Sequence, residues 1–225
     1  MSATLALSAY PGDAVFGIGA LLAALPGERH HLTAFAEVRE EAAANAEPEA
    51  AALARLGAAH TALRLASTAS TKTVRAALAN ALDRAGVANV LLPLPLAARP
   101  GEDVLAEVVP ELRRAHPGVR FLHYYPLPLV TQHRARFPEL AFARPIRGLA
   151  EADGDAGLLQ WKPRRGATPT DGGPLPTKLA ACDLLRATLS RRLYTDDDLP
   201  PPADPEERAA ARRRAIGTRE WVQLA

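Results

Sequence analysis

Cysteine is nearly absent from this chain. The single Cys182 excludes an intrachain disulfide and gives no sign of an oxidising compartment. Long apolar runs are missing too: nothing approaches the ~20 residues needed to span a bilayer, so no membrane partner is expected. Neither sign of charge is in excess. Lys and Arg number 27 against 25 Asp and Glu, a net +2, which gives no reason to expect nucleic acid or an anionic surface as partner. Apart from Arg212-Arg213-Arg214, read as a solvated helix face, basic residues form nothing longer than pairs. A G-x-G-x-x-G fingerprint, a P-loop and a G-x-S-x-G elbow are all lacking. No basic region precedes a long apolar stretch at the start, where Thr4 to Tyr10 reads as a strand. A cytoplasmic protein without a signal peptide is therefore expected.

What is present is an ordinary globular composition, 48% hydrophobic and 23% charged over 225 residues, enough for one α/β domain with a buried core. Up to about residue 125, short apolar strands alternate with helices. Leu5 to Ala9 is a strand ending at Pro11-Gly12, and a helix runs from Asp13, an N-cap type, to about Ala24. His31 to Ala36 is a second strand, followed by a helix from about Pro48 to Leu56 that stops at Gly57. Thr61 to Leu65 is a third strand. Val74, Ala77, Leu78 and Leu82 form a helical stripe within Thr73 to Ala85. Val87 to Leu96 holds the fourth strand and Val119 to Tyr125 the fifth. The helix between them, Glu102 to His116, is expected to kink or break at Pro110.

Apolar strands separated by helices imply a parallel sheet covered on both faces. The expected fold is an α/β, Rossmann-like three-layer sandwich with a mostly parallel five-stranded sheet. Residues 1–128 form its core and 129–225 a C-terminal appendage of the same domain. Within the appendage, Gly166 to Pro176 is a loop and Asp196 to Pro205 is acidic and proline-rich. Lys178 to Arg192 is helical, with Leu179, Cys182, Leu185 and Leu189 on one face.

Ligands of open parallel sheets bind beyond the carboxyl ends of the strands, so the loop after the first strand is the first place to look. It reads Tyr10-Pro11-Gly12-Asp13, with Gly17 and Gly19 inside the following helix, where glycine permits close packing. Pro11, Asp13, Gly17 and Gly19 resemble the P-H-P-D-D-E-x-x-G-x-G signature of the LmbE/PIG-L family of zinc-dependent N-deacetylases. Glu37 resembles the acid that ends that family's second strand, and Glu49 with Leu56-Gly57 its Glu-to-Leu-Gly helix. Arg99-Pro100-Gly101-Glu102 stands where the family has H-P-D-H, and Lys178 to Ala181 resembles its late K-x-x-A helix.

The resemblance implies a zinc held by the first His and second Asp of the leading motif with the last His of H-P-D-H, and the first Asp as general base. Three protein ligands leave one position for a water whose pKa falls to about 7, and the base takes its proton. Here Tyr10 replaces the His ligand, Gly12 the base, and Glu102 the last His. Arg99 and Gly101 replace the remaining His and Asp, and Ala46 stands where the family has a substrate-binding Arg. Asp13 alone keeps its type, so no metal or other cofactor is expected.

Several readings of the crevice remain. Asp13 caps the first helix, or pairs with Glu102 to hold a hard divalent cation; Arg99 can instead fill the vacated position as a fixed charge beside either carboxylate. Of His30, His31, His60, His116, His123 and His133, no two show a metal-helix spacing. His123 lies near the carboxyl end of strand five, where it reaches the crevice or packs at its rim. Tyr124 and Tyr125 line a pocket or pack, and Lys178 reaches the crevice or stays in solvent. Catalytic candidates are Asp13, Arg99 and Glu102; ligand-binding candidates are Tyr10, Gly12, Glu37, His123, Tyr124 and Lys178. Three functions follow: a deacetylase-like protein without activity that binds a small polar or sugar-like ligand or a partner, an enzyme with metal-independent chemistry, or an amide hydrolase with a rebuilt metal site, zinc being the metal. Homo-oligomerisation is compatible with all three.

Overall fold

A computed structural model of the chain describes residues 3–35, 39–94, 101–125, 143–146, 149, 159–161, 173–185, 204–207 and 220–224. Strands and helices alternate as β1 (Ala3–Ser8), α1 (Asp13–Ala24), β2 (Arg29–Phe35), α2 (Arg39–Arg55), β3 (Ala59–Leu65), α3 (Thr71–Ala85), β4 (Val87–Pro93), α4 (Glu102–Ala115) and β5 (Arg120–Tyr124). The five strands pair in parallel in the order β3-β2-β1-β4-β5. Side-chain alternation sends Ala6, Leu91, Leu122 and Tyr124 into one layer, with α1 and α2. Leu5, Leu7, Val90, Leu92 and Phe121 go into the other, with α3 and α4. Both faces of the inner sheet are thus covered, which is why β1 and β4 read as apolar runs, whereas the edge strand β3 is largely exposed.

The second half adds β6 (Arg144–Ile146), β7 (Leu159–Trp161), α5 (Pro174–Leu184) and β8 (Glu220–Leu224). These strands extend the same sheet from β5 in the order β8-β7-β6, so the five-stranded parallel unit sits in a sheet of eight among the described residues. β8 runs antiparallel to both β5 and β7. Strands of three to five residues carry too little alternation to be read from sequence, and β8 reaches its neighbour across almost the whole second half of the chain.

Three local expectations are corrected. Asp13 is not the cap of α1: Gly12 is, at φ 86°, and Asp13 is the first helical residue. The second helix begins at Arg39 and runs through Pro48, which removes only one hydrogen-bond donor from a long ladder. α4 likewise continues through Pro110 to Ala115. The real kink is in α1, at Ile18 (φ −136°, ψ 21°), where the chain restarts its helical ladder. Close packing explains the glycines beside the kink. A Cβ on Gly17 would lie 2.9 Å from the Tyr124 ring, and one on Gly19 would lie 3.0 Å from Lys178 Cγ.

Candidate functional site

β1 connects outward to β2 and β3, whereas β4 and β5 lie on its other side. The strand order therefore reverses between β1 and β4, and ligands of such sheets bind beyond the carboxyl ends of the strands at that point. The two turns that leave these strands are near copies. Each carries Pro-Gly-acid, as Pro11-Gly12-Asp13 and Pro100-Gly101-Glu102. Gly12 (φ 86°, ψ −11°) caps α1 and Gly101 (φ 83°, ψ −15°) caps α4, both in the left-handed region. The acid that follows is the first residue of its helix, where the helix dipole favours negative charge. Asp13 and Glu102 are both buried.

A hydrogen-bonded network holds the first turn from beneath. Asp13 Oδ2 accepts the Tyr10 N–H at 2.9 Å, and Glu49 Oε1 accepts the Gly12 N–H at 2.8 Å. The other Glu49 oxygen accepts the Thr33 hydroxyl at 3.0 Å, so both oxygens act as acceptors, as an ionised carboxylate's do. Ser8 Oγ accepts the Ala14 N–H at 3.1 Å and so performs the capping that Gly12 cannot. Ser8 also bonds His31 Nε2 at 2.7 Å, His31 Nδ1 meets His60 Nδ1 at 3.0 Å, and His60 Nε2 lies 3.6 Å from Glu49. Burial pushes the His31 imidazole down to about 3, helped by His60 and opposed by Asp13. Burial also lowers His60 from its ordinary 6.5.

The other candidates are dispersed. Tyr10 is buried with its ring tilted against Phe35, centroids 5.9 Å apart. Tyr124 is wholly buried and donates its hydroxyl to the Leu7 carbonyl at 2.9 Å. His123 is half-buried, with Nδ1 3.3 Å from the Pro93 carbonyl. Its imidazole is lowered by burial, raised by that carbonyl and lowered by Arg113. Lys178 is buried against Glu220 at 2.6 Å, and the Glu220 oxygens also accept the Ala20 and Leu21 N–H groups at 2.9 and 2.6 Å. Those amides are free because α1 restarts after Ile18, so Glu220 caps the second half of that helix and Lys178 donates to the capping carboxylate. Arg99 and Glu37 lie outside the described residues, as does the Ala46 side chain.

Sequence reading did not single out Ser8, His31, Thr33, His60 or Glu220. Only the register reveals the histidine pair: Ala6, His31 and His60 are successive partners across β1, β2 and β3. Knowing that β2 and β3 pair in parallel, with His31 opposite His60, would have found it.

A catalytic zinc does not fit this donor set. Gly12 leaves no side chain at the base position, and Tyr10, a phenol with a reference pKa of about 10, is a poor neutral ligand in place of the His. Asp13 already accepts a backbone hydrogen bond. Among the described residues no group of three or more His, Cys, Asp or Glu is placed to hold a metal ion.

No protein-family model matches the chain, and no curated protein sequence does. Solved structures do. The A40926 pseudoaglycone deacetylase Dbv21 is 18% identical with a TM-score of 0.64, over 98% of this chain and 96% of that one. The teicoplanin deacetylase Orf2, in its zinc-inhibited form, is 15% identical with a TM-score of 0.66, over 99% and 97%. GalB, the 4-carboxy-2-hydroxymuconate hydratase of Pseudomonas putida KT2440, is 17% identical with a TM-score of 0.59, over 99% and 95%. The chain therefore has the LmbE/PIG-L-like deacetylase fold. No helix among the described residues is long and apolar enough to cross a membrane.

Proposed function

We propose that this is a deacetylase-fold protein that has lost zinc-dependent N-deacetylation and keeps its crevice as the binding site for a small polar or sugar-like ligand. The observation that carries the reading is the pair of left-handed glycine caps. They leave no side chain where the resemblance puts the general base, at Gly12, or the Asp of the second motif, at Gly101. Asp13 and Glu102 begin the two helices at this switch point, the place where ligands of open parallel sheets bind. The protein acts in the cytoplasm, without nucleic acid or membrane as partner, and is free to form homo-oligomers.

The hydratase with the same fold favours a second reading, chemistry other than deacetylation; on this chain's residues that would be acid–base chemistry by Asp13, Glu102, Tyr10, Arg99 and His123 without a metal. A panel of N-acetylated and free amino sugars and sugar acids separates the readings. The binding reading expects protection against thermal unfolding with neither acetate release nor any other product. Product formation abolished by Asp13→Ala would favour the second reading, and acetate release abolished by a chelator would contradict both.

A further inference from the structure

The buried Ser8–His31–His60 chain has a definite polarity. Both Glu49 oxygens accept hydrogen bonds, and His60 Nε2 faces one of them at 3.6 Å. A lone pair there would be repelled by the carboxylate, so Nε2 carries the hydrogen. A neutral imidazole has one N–H and one lone pair, so His60 Nδ1 must accept. Its partner at 3.0 Å, His31 Nδ1, must therefore donate. That leaves the His31 Nε2 lone pair to accept the Ser8 hydroxyl at 2.7 Å, and Ser8 Oγ accepts the Ala14 N–H. Every hydrogen in the row points from Ser8 toward Glu49.

We infer that this row is a pH-reversible wire: protonation of His60 reverses each donor and acceptor along it and turns the Ser8 hydroxyl hydrogen away from His31. His60 is the group that takes the proton, for two reasons. It is the member open to water, with 11% of its side chain exposed, whereas His31 is buried. Glu49 from α2 also faces it at 3.6 Å, against the burial that lowers it, while Asp13 from α1 is the carboxylate that acts on His31. The proton from solvent binds His60 Nδ1, which then donates to His31 Nδ1. For this the His31–His60 bond opens: His31 loses its Nδ1 hydrogen to water and takes another from water on Nε2, the two exchanges cancel, and it stays neutral. The net gain is one proton, on His60.

Ser8 Oγ then receives two hydrogen bonds, from His31 Nε2 and from Ala14, and its own hydrogen loses its acceptor. The cap of α1 and the Tyr10–Asp13 turn above it thereby sense the charge on His60, more than 20 residues away in sequence from either. That this regulates ligand affinity at the crevice rests on the functional reading above; the reversal itself does not.

The test uses the full-length chain, labelled with nitrogen-15, and long-range proton–nitrogen spectra of the histidine rings recorded from pH 7.5 down to 4.5. At the upper end His31 should show a protonated Nδ1 and His60 a protonated Nε2. On acidification His60 should become doubly protonated while His31 remains neutral and its hydrogen moves to Nε2. The Ala14 amide should shift with the same midpoint, and in His60→Gln that step should vanish while the His123 titration persists. A His31 that keeps one tautomer throughout the His60 titration overturns the proposal in the wild-type protein alone, even if the variant fails to fold. A crevice that binds none of the sugar panel would remove the functional reading and leave the wire intact.

Discussion

Lowering the pH should destabilise this protein through His31, and the size of the effect follows from its surroundings. The imidazole sits at about 3 in the folded chain against 6.5 in the unfolded one. Between those values the unfolded chain binds a proton that the folded chain refuses. The His31 contribution is therefore complete above pH ~6.5 and is lost as the pH falls toward 3. At pH 4 the unfolded state is 2.5 units below its own pKa, and at ~1.4 kcal/mol per unit this amounts to about 3 kcal/mol. The side chain is buried, so solvent screening takes little of this away. Urea unfolding of wild type and His31→Leu at pH 7, 6, 5 and 4 isolates the term, because the buried carboxylates titrate in both proteins. The variant is expected to be less stable at pH 7, where Ser8 and His60 lose their partner, and to close that gap by about 3 kcal/mol at pH 4. Two stability curves that stay parallel across the range would refute the argument.

Other perturbations follow from the same contacts. Gly12→Asp, which restores an acid at the lost base position, should cost about 1–3 kcal/mol in urea unfolding. Its Cβ would lie 2.7 Å from the Phe16 ring on a backbone at φ 86°, and no acetate release from N-acetyl sugars should return. Lys178→Met should destabilise by about 3–5 kcal/mol, because it leaves Glu220 charged and buried without its cation. Lys178→Met with Glu220→Leu together should recover part of that loss by chemical denaturation. Tyr124→Phe removes the bond to the Leu7 carbonyl and should cost about 1 kcal/mol with no change in fold by circular dichroism.

The parallel core was legible because its inner strands β1 and β4 are buried on both faces and write apolar runs, as in Val90-Leu91-Leu92. β6 and β7, with three residues each, write no such pattern, and β8 gains its place from pairing with β5 and β7, not from its own alternation. At the site, the residue types at Tyr10, Gly12, Gly101 and Glu102 were visible, and with them the departures from the family's zinc-site pattern. The left-handed turns were not visible, because a glycine permits that backbone without requiring it. Nor was the histidine pair, which depends on the register of β2 against β3. Lys178 belongs to a buried cap because α1 breaks at Ile18, and no residue type in that helix announces the break.

The central claim is that the crevice works without a resident zinc. Elemental analysis of protein purified without a chelator or a histidine tag tests it most directly. The account predicts zinc far below one atom per chain, with no gain in acetate release when zinc is added. One tightly held zinc per chain would contradict it and return the protein to metal-dependent hydrolysis.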